Sequence, residues 1–93
     1  MAYRSVNPAT GEVVETFASH TDGELESPLS VAHALYKSRW SKGPIEVPLE
    51  VLSRISALME ERLEELARIL VQEMGKRLAE ARDEVQISAD IVR

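Results

Sequence analysis

The most regular pattern in the chain is a run of apolar residues that recur every three or four positions across its middle. This spacing places them on one face of an α-helix and predicts a helix over residues 48–74. Pro48 fits the first helical turn, where no amide hydrogen is needed. Gly75, followed by Lys76 and Arg77, predicts the end, since glycine accepts a left-handed backbone and cations suit a helix C-terminus. The expected buried stripe consists of Leu49, Leu52, Ile55, Met59, Leu63, Leu66, Leu70 and Met74.

A further helix is predicted over residues 78–93, again from apolar residues at helical spacing. Ile87 and Ile91 lie off the main stripe and form a second apolar face. The helical pattern reaches the last residue without a glycine or proline, which is typical of a segment from a longer protein. The main stripe consists of Leu78, Ala81, Val85, Ala89 and Val92.

The first helix is predicted over residues 28–40, with Pro28 in its first turn. Thr21 and Glu24 have the spacing of a capping box, which by itself would begin a helix earlier. An earlier start would require an amide hydrogen that Pro28 lacks, so we expect only a loose turn over residues 22–26. The stripe expected to be buried consists of Leu29, Ala32, Leu35 or Tyr36, and Trp40.

Residues 3–17 have the pattern of a β-hairpin. Pro8 presets the backbone of a turn, Asn7 can hydrogen-bond across it, and Gly11 tolerates a positive φ. We expect a loop of three to five residues with a bulge. A lone hairpin is marginal in water, so its apolar side should pack on other elements. That side consists of Val6, Val13 or Val14, and Phe17.

The predicted fold class is therefore mostly α, with an N-terminal β-hairpin followed by about three amphipathic helices. We expect residues 1–93 to form a single small helical domain or fragment, because 93 residues allow one domain at most. Only four aromatic residues are present, so any core must be aliphatic.

Composition restricts the possible functions. A net charge of −5 argues against binding to nucleic acid or to an anionic membrane, both of which need a basic surface. No apolar run approaches the length of a transmembrane helix, and the N-terminus has no signal-peptide pattern. The chain has no cysteine, which excludes disulfides, thiolate metal sites and thiol catalysis within it. A cytoplasmic location is expected.

The ionisable residues form no recognisable catalytic arrangement. The adjacent carboxylates lie on polar helix faces, where solvation explains them better than catalysis does. His20 and His33 lack the further ligands that a metal site needs. The glycines are isolated and no serine lies in a nucleophile motif, so we predict no catalytic, cofactor-binding or metal-binding residue and no bound cofactor. The adjacent carboxylates are Glu60/Glu61, Glu64/Glu65 and Asp83/Glu84.

Several apolar residues lie off the predicted stripes and suggest more apolar surface than three helices can hide. Exposed apolar patches of this kind usually bind a partner. We therefore predict an interaction surface for self-association or for a protein partner. Its candidate residues are Pro28, Val31, Trp40, Val47, Pro48, Val51, Ile87 and Ile91.

Two motifs carry a resemblance to a known family. The segment from Val6 to Val14, which contains Asn-Pro-Ala-Thr-Gly-Glu, and the segment Glu73-Met74-Gly75-Lys76 both resemble the N-terminal part of aldehyde dehydrogenases, particularly the succinate-semialdehyde type. The likeness extends from Tyr3 to Arg93. It implies a position at the periphery of the coenzyme-binding domain of an NAD(P)-dependent enzyme.

The resemblance assigns no catalytic residue to this chain. The family oxidises aldehydes through a cysteine thiohemiacetal, with a glutamate base and an asparagine, and none of these maps onto residues 1–93. It implies an N-terminal segment that is not catalytic alone. The alternative is an engineered or repurposed helical scaffold for interaction or self-association, which the prolines at helix starts and the extra apolar surface residues favour.

Overall fold

The computed structural model describes residues 3–93. Two strands come first and are followed by helices. The mostly α class with an N-terminal hairpin is confirmed, and the described part contains four α-helices rather than about three. In chain order the elements are β1 (Tyr3–Val6), β2 (Val13–Phe17), α1 (Asp22–Leu35), a π-helical turn (Tyr36–Trp40), α2 (Glu46–Glu61), α3 (Leu63–Met74) and α4 (Leu78–Val92).

The hairpin forms as the turn residues predict. β1 and β2 pair antiparallel, with a bulge between Ser5 and Val6. The Asn7 side chain accepts a hydrogen bond from the Ala9 amide at 2.9 Å, and Gly11 has a φ of 77°. Its packing differs from the expectation, because the apolar side chains of β2 are largely exposed. They are Val13, Val14 and Phe17.

The first helix begins at Asp22, so the predicted loose turn over residues 22–26 and a start at Pro28 are wrong. Thr21 accepts a hydrogen bond from the Glu24 amide at 3.2 Å and donates one to the Glu24 carboxylate at 3.1 Å. The capping box therefore sets the start, and Pro28 lies inside α1. This is tolerated because α1 is exposed, and water can reach the carbonyl that Pro28 leaves without a partner. The end of the helix also differs from the prediction, because residues 36–40 were expected to be α-helical and instead form a π-helical turn.

The long central helix is in fact two helices. α2 and α3 meet at Arg62, whose backbone (φ −101°, ψ 22°) belongs to neither. The sequence around Arg62 contains no glycine or proline, so it holds no signal for this break. The end at Gly75 is confirmed: its φ is 68°, and its amide donates a hydrogen bond to the Val71 carbonyl at 3.0 Å.

The core lies where α4 packs against α3 and against the second half of α2. Its fully buried residues are small: Ala67 on α3, and Ala81 and Ala89 on α4, each 0% exposed. Ser56 is also buried, and its hydroxyl donates to the Ala89 carbonyl at 2.8 Å. Small side chains let the helix axes approach closely, so these residues determine how α4 sits on its neighbours.

The described chain is flat and extended. Its extents along the principal axes are 49 × 35 × 15 Å. The radius of gyration is 17.4 Å, whereas a compact domain of this length has about 13 Å. We call residues 22–55 the arm and residues 56–93 the body. In the arm every side chain is exposed except Pro48, which is half-buried.

Candidate functional site

The predicted interaction surface divides into two separate parts. Six of its eight candidates lie in the arm and the other two on α4. Val31 in the arm is 68% exposed, and Ile91 on α4 is 79% exposed. Their binding to a partner stays a prediction. The arm candidates are Pro28, Val31, Trp40, Val47, Pro48 and Val51, and the α4 candidates are Ile87 and Ile91.

The arm exposes more apolar residues than the sequence predicted. The stripes assigned to the first helix and to the start of the second were expected to be buried, and this is wrong. The helical period is present, but α1 packs extensively only with the π-helical turn that continues it. Additional exposed apolar residues in the arm are Leu25, Leu29, Leu35, Tyr36, Ile45, Leu49, Leu52 and Ile55.

One face of α2 collects part of this surface into an open groove. Val47, Val51 and Ile55 are four residues apart and therefore lie along one side of the helix. Glu50 and Arg54 border the groove, so its floor is apolar and its edges are charged. An apolar strip with a charged border is the usual form of a protein contact surface.

One carboxylate of each adjacent pair forms an ion pair: Glu60, Glu64 and Glu84. Glu64 receives two hydrogen bonds from the Arg82 guanidinium, at 2.6 and 3.1 Å. Glu60 pairs with Arg93, and Glu84 pairs with Lys76. These pairs join α4 to the elements beside it, and they lie near the surface. Their arrangement contributes to the packing of α4 on its neighbours.

The Glu64–Arg82 pair makes part of the α3–α4 contact sensitive to acid. The hydrogen bond from Arg82 lowers the pKa of Glu64 below its ordinary value of 4.5. A carboxylate with a lowered pKa contributes stability that is present above about pH 4.5 and disappears as the pH falls through the folded-state pKa. Glu64→Gln removes this carboxylate. We therefore expect the free energy of unfolding, measured in urea, to fall less between pH 5 and pH 3 than it does in the unaltered chain. Glu65→Gln, an adjacent exposed carboxylate, is the control and should leave this pH dependence unchanged.

The histidines do not form a site. His20 lies 3.0 Å from the Glu24 carboxylate at the start of α1, and His33 is exposed on the same helix. Within residues 3–93, no three histidine or carboxylate side chains converge as metal ligands. Over the same residues, no helix is long and apolar enough to cross a membrane.

Within residues 3–93 no glycine-rich turn joins a strand to a helix, which is the phosphate-binding arrangement of Rossmann folds. The glycines lie in four separate places: the hairpin turn, the first turn of α1, the segment before α2, and the end of α3. They are Gly11, Gly23, Gly43 and Gly75.

The two sequence motifs meet in the structure. Pro8, in the hairpin turn, lies against Gly75, so that a β-carbon added to Gly75 would be 3.0 Å from the Pro8 Cγ. Beside this contact, the Ser5 hydroxyl donates to the Glu73 carboxylate at 2.8 Å. Residues 68 positions apart in sequence thus form a single joint between the hairpin and the body. The fold therefore brings the two motifs into contact.

The sequence profile of the Aldehyde dehydrogenase family matches residues 1–93. The chain belongs to this family. The resemblance drawn from the two motifs is therefore confirmed.

Dehydrogenases of semialdehydes are among the similar proteins. The NADP⁺-dependent succinate-semialdehyde dehydrogenase of Deinococcus radiodurans is 37% identical over 90 residues, which are 97% of this chain and 19% of that enzyme. A probable enzyme of the same type from Synechocystis is 32% identical over 93 residues, 100% of this chain and 20% of that protein. A malonate-semialdehyde dehydrogenase of Listeria monocytogenes is 38% identical over 81 residues, 87% of this chain and 16% of that protein.

A solved structure has the same fold. It was described as giving structural insights into cofactor and substrate selection by Gox0499, and its TM-score with this chain is 0.91 at 30% identity. The match covers 98% of this chain and 20% of that chain. The present chain thus spans about one fifth of the length of its relatives.

Proposed function

We propose that residues 1–93 are the N-terminal segment of an NAD(P)-dependent aldehyde dehydrogenase that acts on a short semialdehyde. In this proposal the segment forms part of the periphery of the coenzyme-binding domain and is not catalytic alone. The Pro8–Gly75 joint carries the proposal, because it gives the two family motifs one structural purpose. The relatives from Deinococcus and Listeria, both named as semialdehyde dehydrogenases, support the substrate class.

The shape of the chain supports a structural role. An extended chain buries little apolar area on its own, whereas a stable domain usually packs its elements around one hydrophobic core. Among residues 3–93 the buried side chains are three alanines, one valine and one serine, which form a small core. A segment that packs within a larger enzyme needs no larger core of its own.

The first test of this proposal is the activity of the chain alone. We expect the purified chain to produce no reduced nicotinamide from succinate or malonate semialdehyde with NAD⁺ or NADP⁺, because its described residues bring together no nucleophile, base or dinucleotide turn. Absorbance of the reduced cofactor measures this. Turnover that scales with the concentration of the chain would contradict it.

The second test uses the complete length of an enzyme. This chain replaces the aligned first fifth of the Deinococcus enzyme, and the chimaera is assayed with succinate semialdehyde and NADP⁺. We expect oxidation within about tenfold of the unaltered enzyme, because the substituted segment supplies packing and no reacting group. A folded chimaera without activity would refute the proposed function.

A helical scaffold that associates with itself is the second candidate. The exposed arm favours it, since a continuous apolar surface also suits a second copy of the chain. Light scattering separates the two candidates. A dimer of defined mass that Val51→Asp converts to a monomer would support the scaffold.

A further inference from the structure

A small pocket lies beside the joint between the hairpin and the body. Its volume is about 340 Å³, and three elements of the fold line it. Helix α3 contributes Arg68, Val71 and Gln72, which are three and four positions apart and therefore share one face of the helix. The hairpin turn contributes Asn7, and the first turn of α4 contributes Leu78. Folding thus brings together polar and apolar residues from distant parts of the sequence.

The joint fixes the position of the wall that the hairpin forms. Pro8 follows Asn7 and lies against Gly75, where an added β-carbon would be 3.0 Å from the Pro8 Cγ. The Asn7 amide donates to the Glu12 carbonyl at 2.9 Å, and its carbonyl accepts from the Gly11 amide at 2.8 Å. A pocket whose walls are already held in place loses little conformational freedom when a ligand binds.

The polar groups of the pocket are mainly donors. The Asn7 side-chain oxygen already accepts from the Ala9 amide at 2.9 Å, which leaves its NH₂ group to donate. Arg68 carries five N–H donors and no acceptor, and the Gln72 amide adds two more donors. None of the five lining residues is acidic. This lining therefore suits an anion better than a cation.

The positive charge of Arg68 is not neutralised by a bonded carboxylate. Among residues 3–93 it forms no ion pair. Glu64, one turn earlier on α3, instead accepts two hydrogen bonds from Arg82, at 2.6 and 3.1 Å. The hydrogen bond from Arg82 is the main cause of the lowered pKa of Glu64, and the charge of Arg68 is the smallest. Two arginines thus share one carboxylate, which leaves a local excess of positive charge.

The remaining lining is apolar and restricts the class of anion. Val71 and Leu78 are half-buried and offer an aliphatic surface. An arginine binds a carboxylate through two parallel hydrogen bonds, and an alkyl chain gains free energy on leaving water for an apolar surface. The volume is near the lower end of the roughly 300–1,000 Å³ of small-molecule sites, so the alkyl chain must be short.

We propose that this pocket is a binding site for a short aliphatic carboxylate. The Arg68 guanidinium holds the carboxylate, and the side-chain amides of Asn7 and Gln72 donate to it as well. The alkyl chain lies against Val71 and Leu78. The site is formed by the hairpin and the body alone, so this inference does not depend on the proposed dehydrogenase function.

Titration of the chain with sodium butyrate at constant ionic strength tests the site. Amide chemical shifts in nuclear magnetic resonance spectra report where the ligand binds. We expect saturable shifts at Asn7, Val71, Gln72 and Leu78, with half-saturation on the order of 1 mM for so small a ligand. Acetate should bind about three- to tenfold more weakly, because it lacks two methylene groups that contact the apolar surface.

Variants of Arg68 test the role of the guanidinium. Arg68→Gln removes the charge and should weaken butyrate binding at least about tenfold, whereas Arg68→Lys keeps the charge without the paired donors and should give a smaller loss. Arg54→Gln is the matched control, because it removes the same charge from an exposed arginine of α2 outside the pocket. It should leave butyrate binding unchanged.

A second substitution keeps the test decisive if Arg68→Gln loses helical structure by circular dichroism. Gln72→Glu places a negative charge at an exposed position of the pocket, and it too should weaken butyrate binding at least about tenfold.

Four results would overturn the proposal. The first is that butyrate causes no saturable shifts, or shifts spread along the whole chain. The second is that Arg54→Gln weakens binding as much as Arg68→Gln does, since binding would then follow net charge alone. The third is that Gln72→Glu has no effect. The fourth is that inorganic phosphate or acetate binds as tightly as butyrate, because the apolar surface would then select nothing.

Discussion

Ala81→Leu is expected to lower the free energy of unfolding of the body by about 1–3 kcal/mol. Ala81 is 0% exposed at the contact of α4 with α3, where Ala67 is equally buried. Extra methyl and methylene groups have no space there, so α4 must move away from its neighbours or adopt strained rotamers. Overpacking of this kind costs about 1–3 kcal/mol, which is a large part of the roughly 5 kcal/mol expected of a small domain. Urea unfolding followed by far-ultraviolet circular dichroism measures it.

Ala79→Leu is the matched control for this change. It makes the same substitution on the same helix two residues earlier, where the side chain is exposed. We expect its free energy of unfolding to stay within about 0.5 kcal/mol of the unaltered chain. If Ala81→Leu had an equally small effect, the close α3–α4 contact would not be what holds the body together.

Gly75→Ala is expected to have the second-largest effect, a loss of about 2 kcal/mol in the free energy of unfolding of the body. Gly75 ends α3 with a φ of 68°, a conformation that costs an alanine about 1–2 kcal/mol. The added β-carbon would also press against Pro8 at 3.0 Å. The change therefore affects both the end of the helix and the hairpin joint. Urea unfolding again provides the measurement.

Two controls separate these contributions. Gly11→Ala imposes a similar backbone cost at a φ of 77°, but its β-carbon meets open space in the hairpin, so the helical transition should hardly change. In a Pro8→Ala background, Gly75→Ala should cost about 0.5–1 kcal/mol less, because the neighbour that it presses against is shorter. Equal costs in both backgrounds would show that Pro8 does not contact the helix end.

Local signals in the sequence predicted the elements that depend on local chemistry. Asn7 and Gly11 predicted the hairpin. Gly75 predicted the end of α3, because glycine adopts a left-handed backbone more readily than other residues do. The apolar stripe of α4 correctly indicated its buried residues. The start of α1 was missed because two local rules conflicted there. The capping box of Thr21 and Glu24 prevailed over Pro28, whose missing hydrogen bond costs little where water can replace it.

The exposed apolar surface was predicted only in part, for a related reason. The apolar character of Val31, Val47 and Val51 is visible in the sequence, and they are exposed as expected. Leu29 and Leu52 were assigned to a core and are instead exposed in the arm. Periodicity shows which face of a helix avoids water, but it does not show whether the covering partner belongs to the same stretch of chain.

The amino-acid sequence alone therefore determined the mostly α class, the turns, the polarity of each helix face and the family motifs. Only the tertiary structure decided that the central helix breaks at Arg62, that three alanines set the packing of α4, and that Pro8 meets Gly75. Turns and helix faces depend on residues a few positions apart, which the sequence places together. Breaks, close contacts and joints depend on residues brought together by folding, and their energies arise only once those surfaces touch.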